Sequence, residues 1–232
     1  MPALMRRMIW RMSMGIPMII EPRALLQLLA WLSPAFPTGA FAYSHGLEWA
    51  VADGDVRDSE SLRAWLCALL RDGSGRNDAI LLRAAHRASA APARRDEIAA
   101  LAAALAPAAE RRAETLAQGA AFAKAAVPWG ETVEAALPVA LGVLAARHGI
   151  GEEAAVIGYL HAFAANLISA GVRLIPLGQS AGLLVLAALE DDILAIAAES
   201  RGQDLDDLGA ACFRADIAAM RHETQYTRLF RS

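Results

Sequence analysis

Five histidines carry the groups best suited to metal binding or proton transfer, and the chain scatters them: His45, His86, His148, His161 and His222. A helical metal site needs ligands on one face, and no His-x-x-x-His pair occurs. His222 beside Glu223 offers two donors together, but two neighbours on a tail make only a weak metal candidate. His161 falls on an apolar stripe, where a histidine usually serves as a hydrogen-bonded core residue. Gly73-Ser74-Gly75 hints at a serine nucleophile. The full Gly-x-Ser-x-Gly pattern is missing and no strand precedes it, so the triplet reads as a helix stop. Lys124 is the single lysine, and Gln118-Gly119-Ala120 ahead of it gives no phosphate-cradling loop. Glu190-Asp191-Asp192 reads as a solvated face. Asp204, Asp206 and Asp207 complement the dipole of a helix start. These residues predict no catalytic machinery, no cofactor and no resident metal.

Composition narrows the class further. The chain has 232 residues, 56% of them hydrophobic and 20% charged, with a net charge of −3. That is enough to bury a sizeable core, and it lacks the basic field that nucleic acid requires. Cys67 and Cys212 lie far apart inside apolar helical patterns, which excludes a disulfide framework and suggests a reducing, cytoplasmic setting. Mean hydropathy is +0.33, and Ala154–Val172 and Leu174–Leu189 are uncharged. Both stretches are mostly small residues, hold His161, Asn166, Ser169 and Gln179, and are interrupted by Pro176. Such a mixture suits close helix packing better than lipid, so no membrane association is expected. Arg11 and Pro17 interrupt the first twenty residues, which therefore read as a flexible leader rather than a secretory signal.

The elements that must position these residues are helical throughout. No segment alternates as a strand, and alanine, leucine, glutamate and arginine dominate. The spacing predicts helices over Pro22–Leu32 (Leu25, Leu28, Leu29 and Leu32 on one face), from Tyr43 to Asp53, and from Asp58 to Gly73. Further helices are predicted from Asn77 to Ala90, two across the alanine-rich stretch 91–126, and one over Pro138–Gly149. Glu152–Leu174, Gln179–Glu199 and a last helix capped by Asp204 complete the series. The whole is an all-α, single-domain bundle of roughly eight to ten helices. Residues 1–20 form a leader, 21–220 the domain and 221–232 a tail.

Three segments do more than a bundle needs. The connection from Ser33 and Pro34 through Phe36, Pro37, Gly39, Phe41, Tyr43, Ser44 and Gly46 to Glu48 spends aromatics, prolines and glycines on a shaped, buried loop. Arg173, Leu174, Pro176, Leu177, Gly178 and Gln179 place a charge at a helix break among small residues. That arrangement suits a dimer or partner interface. The tail sets Tyr226, Leu229 and Phe230, as exposed anchors, among Arg221, His222, Glu223, Gln225 and Arg228. It is expected to be separable from the fold, so that its removal costs little stability.

In that order, together with Pro138-Val139-Ala140-Leu141-Gly142, these segments resemble the UreF family of urease accessory proteins over nearly the whole chain. Thr227 departs from the pattern, standing where serine is common. The resemblance implies an all-helical homodimer, a chaperone of urease maturation. It binds UreD (also called UreH) and the GTPase UreG and assists nickel delivery to apo-urease. Nickel and GTP then belong to the partners. An alternative within the same reading is a GTPase activator that supplies Arg173 or a tail arginine in trans.

Overall fold

The computed structural model describes residues 20–209 and 211–232. The expected leader lies almost wholly outside them. Helix α1 spans Pro22–Trp31, where Pro22 suits the first turn and the Glu21 side chain accepts the Ala24 N–H at 3.0 Å. Its buried face is Ala24, Gln27, Leu28 and Trp31, so Leu25, Leu26 and Leu29 stay exposed. The expected leucine stripe is thus rotated, because Trp31 takes the core position. Trp31 packs edge-on against Phe122, Trp129 and the His148 ring.

The loop after α1 makes one tight turn at Ala40–Ala42 and then enters α2, Leu47–Ala52. This helix starts four residues later than expected. His45 and Gly46 both take left-handed backbone angles, with φ of 60° and 77°, which ends any helix through Tyr43. Gly46 has a second reason to be glycine. A Cβ there would meet the Ala219 backbone at 2.8 Å.

Helix α3, Ser59–Asp72, opens with a capping box between Asp58 and Ser61. Gly73 breaks the chain only briefly, and α4 follows at once over Ser74–Arg87. Pro92 opens α5, Pro92–Ala104, and Pro107 separates it from α6, Ala109–Ala125. Then come α7, Leu137–Arg147, and the long α8, Glu152–Leu174. The single helix expected over 179–199 is two, α9 (Gln179–Ala187) and α10 (Glu190–Glu199), with a turn at Ala188-Leu189 that buries Leu189. Asp204 caps a short 3-10 turn, Leu205–Asp207, rather than the last helix. That helix, α11, starts at Phe213 and ends at His222.

All the described elements are helical, as the composition predicts. Helix α8 is long and apolar enough to cross a membrane, yet here it is the central core helix, flanked by α2, α3, α4, α7, α9 and α10. Glycine permits the tightest crossings: Gly142 lets α7 press on the Leu82 backbone of α4, where any Cβ would collide. His161 lies on the solvent side of α8, so the core role expected for it is wrong. Among the buried charges is Arg83, 2% exposed. It donates to Ser200 Oγ at 2.9 Å, to the Ala197 carbonyl at 2.7 Å and to Glu153 at 2.6 Å, tying α4 to α8 and α10.

Candidate functional site

The three segments singled out in the sequence meet in space, and the tail is what joins them. Ala108 precedes helix α6 at the N-cap position and has no side chain able to cap it. Glu223 performs that task from the tail, its Oε1 accepting the Ala109 N–H at 2.7 Å and placing a negative charge at the helix start. One residue earlier, His222 is fully buried. Its Nδ1 faces Glu110 at 2.6 Å and its Nε2 faces Glu48 at 3.2 Å. With both nitrogens engaged, the ring is a structural bridge. Among the described residues no group of three ligating side chains converges to hold a metal.

Glu48, at the start of α2, is the keystone. Besides His222 it accepts the backbone N–H groups of Leu229 at 2.6 Å and Phe230 at 2.9 Å. Beyond it the tail pairs with the loop: Arg231 N–H donates to the Ala42 carbonyl and Ser44 N–H to the Ser232 backbone oxygen, at 2.9 and 2.8 Å. The Ser44 hydroxyl also bonds Ser232, whose own hydroxyl donates to Glu114 at 2.5 Å. Arg173 closes the knot from the end of α8. Its guanidinium donates to the Phe41 and Ser169 carbonyls at 2.8 and 3.1 Å and lies 4.3 Å from the Phe230 ring centre.

This arrangement revises two expectations. Phe230, foreseen as an exposed anchor, is buried at 4% exposure, while Tyr226 and Leu229 do face solvent. The tail also packs on its own domain, with Phe230, His222 and Ser232 in interior positions. The other predicted residues fall into place around them. Phe36 packs on Phe122 and Trp129, Tyr43 and Ser44 are buried, and Phe41 is exposed. Ser33 bonds the Ala35 N–H, Gly39 takes a left-handed turn, and Pro34 and Pro37 lie at the surface. Arg228 pairs with Glu110 at 2.6 Å, Gln225 bonds the Thr227 carbonyl at 3.2 Å, and Arg221 projects to solvent. At the helix break, Leu174 and Leu177 pack partly on the core, leaving Pro176, Gly178 and Gln179 exposed.

Sequence reasoning missed Glu110, Arg111 and Glu114. They sit in an alanine-rich stretch where charges three or four apart normally mark a solvated helix face. Here Arg111 and Glu114 are 7% and 5% exposed and ion-paired. Glu114 also lies 3.5 Å from His45 Nδ1, and His45 Nε2 is 2.7 Å from Ser74 Oγ. Ser74, His45 and Glu114 thus fall in the order of a nucleophile, base and orienting acid. Burial, reinforced by Arg111, pushes the His45 pKa down to about 4. Burial works to raise Glu114, but Arg111 and then His45 outweigh it and hold that carboxyl at about 2. A general base must accept a proton near neutral pH, and this imidazole resists one. His45 is hydrogen-bonded to Ser74 and stands at ion-pair distance from Glu114, so the line holds the loop against α4 and α6.

Comparison with known proteins decides the family. The UreF family model matches residues 56–190. A urease accessory protein UreF of Rhizobium leguminosarum bv. viciae is 52% identical over 218 residues, covering 91% of this chain and 98% of that protein. The chain belongs to the UreF family. A further UreF, from Cereibacter sphaeroides strain ATCC 17023, is 56% identical over 211 residues, covering 90% of this chain and 99% of its own length. The UreF of Rhodopseudomonas palustris strain TIE-1 is 51% identical over 230 residues, with 91% and 94% covered. In this UreF-family chain the knot therefore has two sides. The inner side is a polar frame of buried Glu48, Glu114 and His222 with half-buried Glu110, and the outer side presents Phe41, Tyr226 and Leu229.

Proposed function

We propose that this chain is a urease assembly factor that works by binding rather than by chemistry. It bridges UreD (UreH) and the GTPase UreG so that nickel reaches apo-urease, as a cytoplasmic homodimer. Membership of the UreF family is the observation that carries this reading, because the relatives named above are urease accessory proteins over nearly their whole length. The geometry supports it in a particular way. Tyr226 and Leu229 stand fully or largely exposed on a segment whose backbone is fixed from beneath by Glu48. Exposed apolar side chains on a rigid frame bind without a large ordering cost. UreD docks on this outer side, with Arg221 and Arg228 orienting it through charge. The helix break supplies the dimer contact through Pro176, Gly178 and Gln179, with Arg173 holding the break in shape from inside its own chain.

Co-purification of the chain with UreD, UreG and apo-urease tests the reading, with a stable complex expected and no complex refuting it. A GTPase-activating role would need an arginine free to reach across. Arg173 and Arg228 are both committed to partners within the chain. Arg221 projects to solvent and is the arginine left for such a role, so GTP turnover by UreG is measured with the wild-type chain and with Arg221→Ala: no acceleration supports the binding role, and an acceleration lost in the variant favours the activator.

A further inference from the structure

The hydrogen bonds under the tail fix where a proton must sit. His222, at the end of α11, is fully buried, and each ring nitrogen faces a carboxylate. Nδ1 lies 2.6 Å from Glu110 and Nε2 lies 3.2 Å from Glu48. Both carboxylates are already committed as acceptors. Glu110 takes a bond from Arg228 at 2.6 Å through its other oxygen, and Glu48 takes the Leu229 and Phe230 N–H groups. A neutral imidazole has one N–H and one lone pair, so it would set that lone pair against a carboxylate oxygen. Only a ring carrying both protons donates to both sides. The charges agree with this count. Glu48 and Glu110 balance Arg228 and a protonated His222, whereas a neutral ring leaves one negative charge uncompensated beneath the tail.

The neighbouring charges are matched among themselves. On α6, Arg111 and Glu114 pair with each other, and His45 of the loop faces Glu114 at 3.5 Å. Asp55, just after α2, pairs with Arg214 of α11. Arg221 projects to solvent and Glu223 turns to the start of α6. We propose that His222 is a proton-operated latch, in which the doubly protonated ring pins α2, α6 and the tail together and loss of one proton releases the tail. Release follows because each carboxylate serves the ring and the tail at once. A carboxylate repelled by a bare ring nitrogen must move, and Glu48 then lets go of the Leu229 and Phe230 amides, or Glu110 of Arg228. The docked tail holds a proton that the released, solvated imidazole gives up more readily, so docking weakens as pH rises. Tyr226 and Leu229 lose their fixed frame with it. The latch acts on the tail itself, whichever partner docks there.

Two measurements on the full chain test this. Long-range proton–nitrogen NMR of the His222 ring at about pH 7, assigned by its loss in His222→Gln, should show both nitrogens protonated. A ring with one bare nitrogen overturns the latch. Hydrogen exchange, corrected for the intrinsic pH dependence of amides, then follows Leu229 and Phe230 from about pH 6 to about pH 9, on both sides of neutrality. Their protection should fall by about 10-fold or more, the share of one charged hydrogen bond, while amides in α7 and α8 keep theirs. Glu110→Gln should abolish that fall, because its amide can donate to a neutral ring and still accept from Arg228. His222→Gln, which cannot titrate, should give weak protection at every pH. Circular dichroism confirms that each variant is folded, and the wild-type measurements decide alone if neither is. Protection that is constant with pH in the wild type, or that falls as steeply in either folded variant, overturns the proposal.

Discussion

Replacing Glu48 by alanine should unlatch the tail without touching the bundle. The carboxylate accepts three bonds, from Leu229 N–H, Phe230 N–H and His222 Nε2. Leaving a buried donor unpaired costs about 1–3 kcal/mol, so three could cost more than the tail's docking is worth. The loss has a ceiling, because the chain can release the tail into water instead. Release exposes Phe230, worth about 2–3 kcal/mol of apolar burial, and breaks the Ser44 and Arg231 backbone pairs at about 1 kcal/mol each. It regains the conformational entropy of the freed residues, about 1–2 kcal/mol for each residue's backbone. These terms nearly cancel, so a net loss of about 1 kcal/mol is expected, which for a chain of 232 residues lowers Tm by roughly 2–4 °C. Hydrogen exchange gives the sharper readout. The Leu229 and Phe230 amides should lose protection, while those of α7 and α8 keep theirs relative to the global stability. An unchanged Tm with both tail amides still protected would refute the reasoning.

The outer side of the knot should behave in the opposite way. Tyr226→Ala with Leu229→Ala should leave Tm within about 1 °C, because both side chains are solvated, yet abolish capture of UreD. A binding-competent double variant would remove the tail from the docking surface. Acidification should reveal two opposed groups. Between pH 6.5 and 4.5 the unfolded chain takes up a proton that folded His45 refuses, which destabilises by roughly 2–3 kcal/mol. From about pH 6 downward folded Asp78 takes up a proton that the unfolded chain does not, which stabilises by roughly 2 kcal/mol. Wild-type stability should thus be nearly flat over that window and Asp78→Asn should fall steadily; denaturant melts at both pH values check it, and a flat variant counts against the assignment. Gly119→Ala should destabilise by several kcal/mol, since its Cβ would collide with the Ala135 carbonyl and α6 cannot retreat without losing Phe122. A variant as stable as wild type by thermal melt would mean that α6 can shift.

The sequence by itself determined the helical class and most of the helix limits. Apolar period, proline placement and caps such as Asp58 act within a few residues, so they can be read locally. It also marked the three unusual segments, because prolines, aromatics and a lone arginine stand out against an alanine-rich background. What it could not show is that these segments are one site. Glu48 and Phe230 are separated by 182 residues, and their contact exists only because α2 and α11 pack side by side. The same packing turned Phe230 inward and left Tyr226 outward, a choice that alternation along an irregular tail does not encode. Glu110, Arg111 and Glu114 were illegible for a related reason. A charge on an alanine-rich helix looks solvated until another segment covers it, and here the covering segment is the chain's own last turn, which brings its acceptors and donors with it.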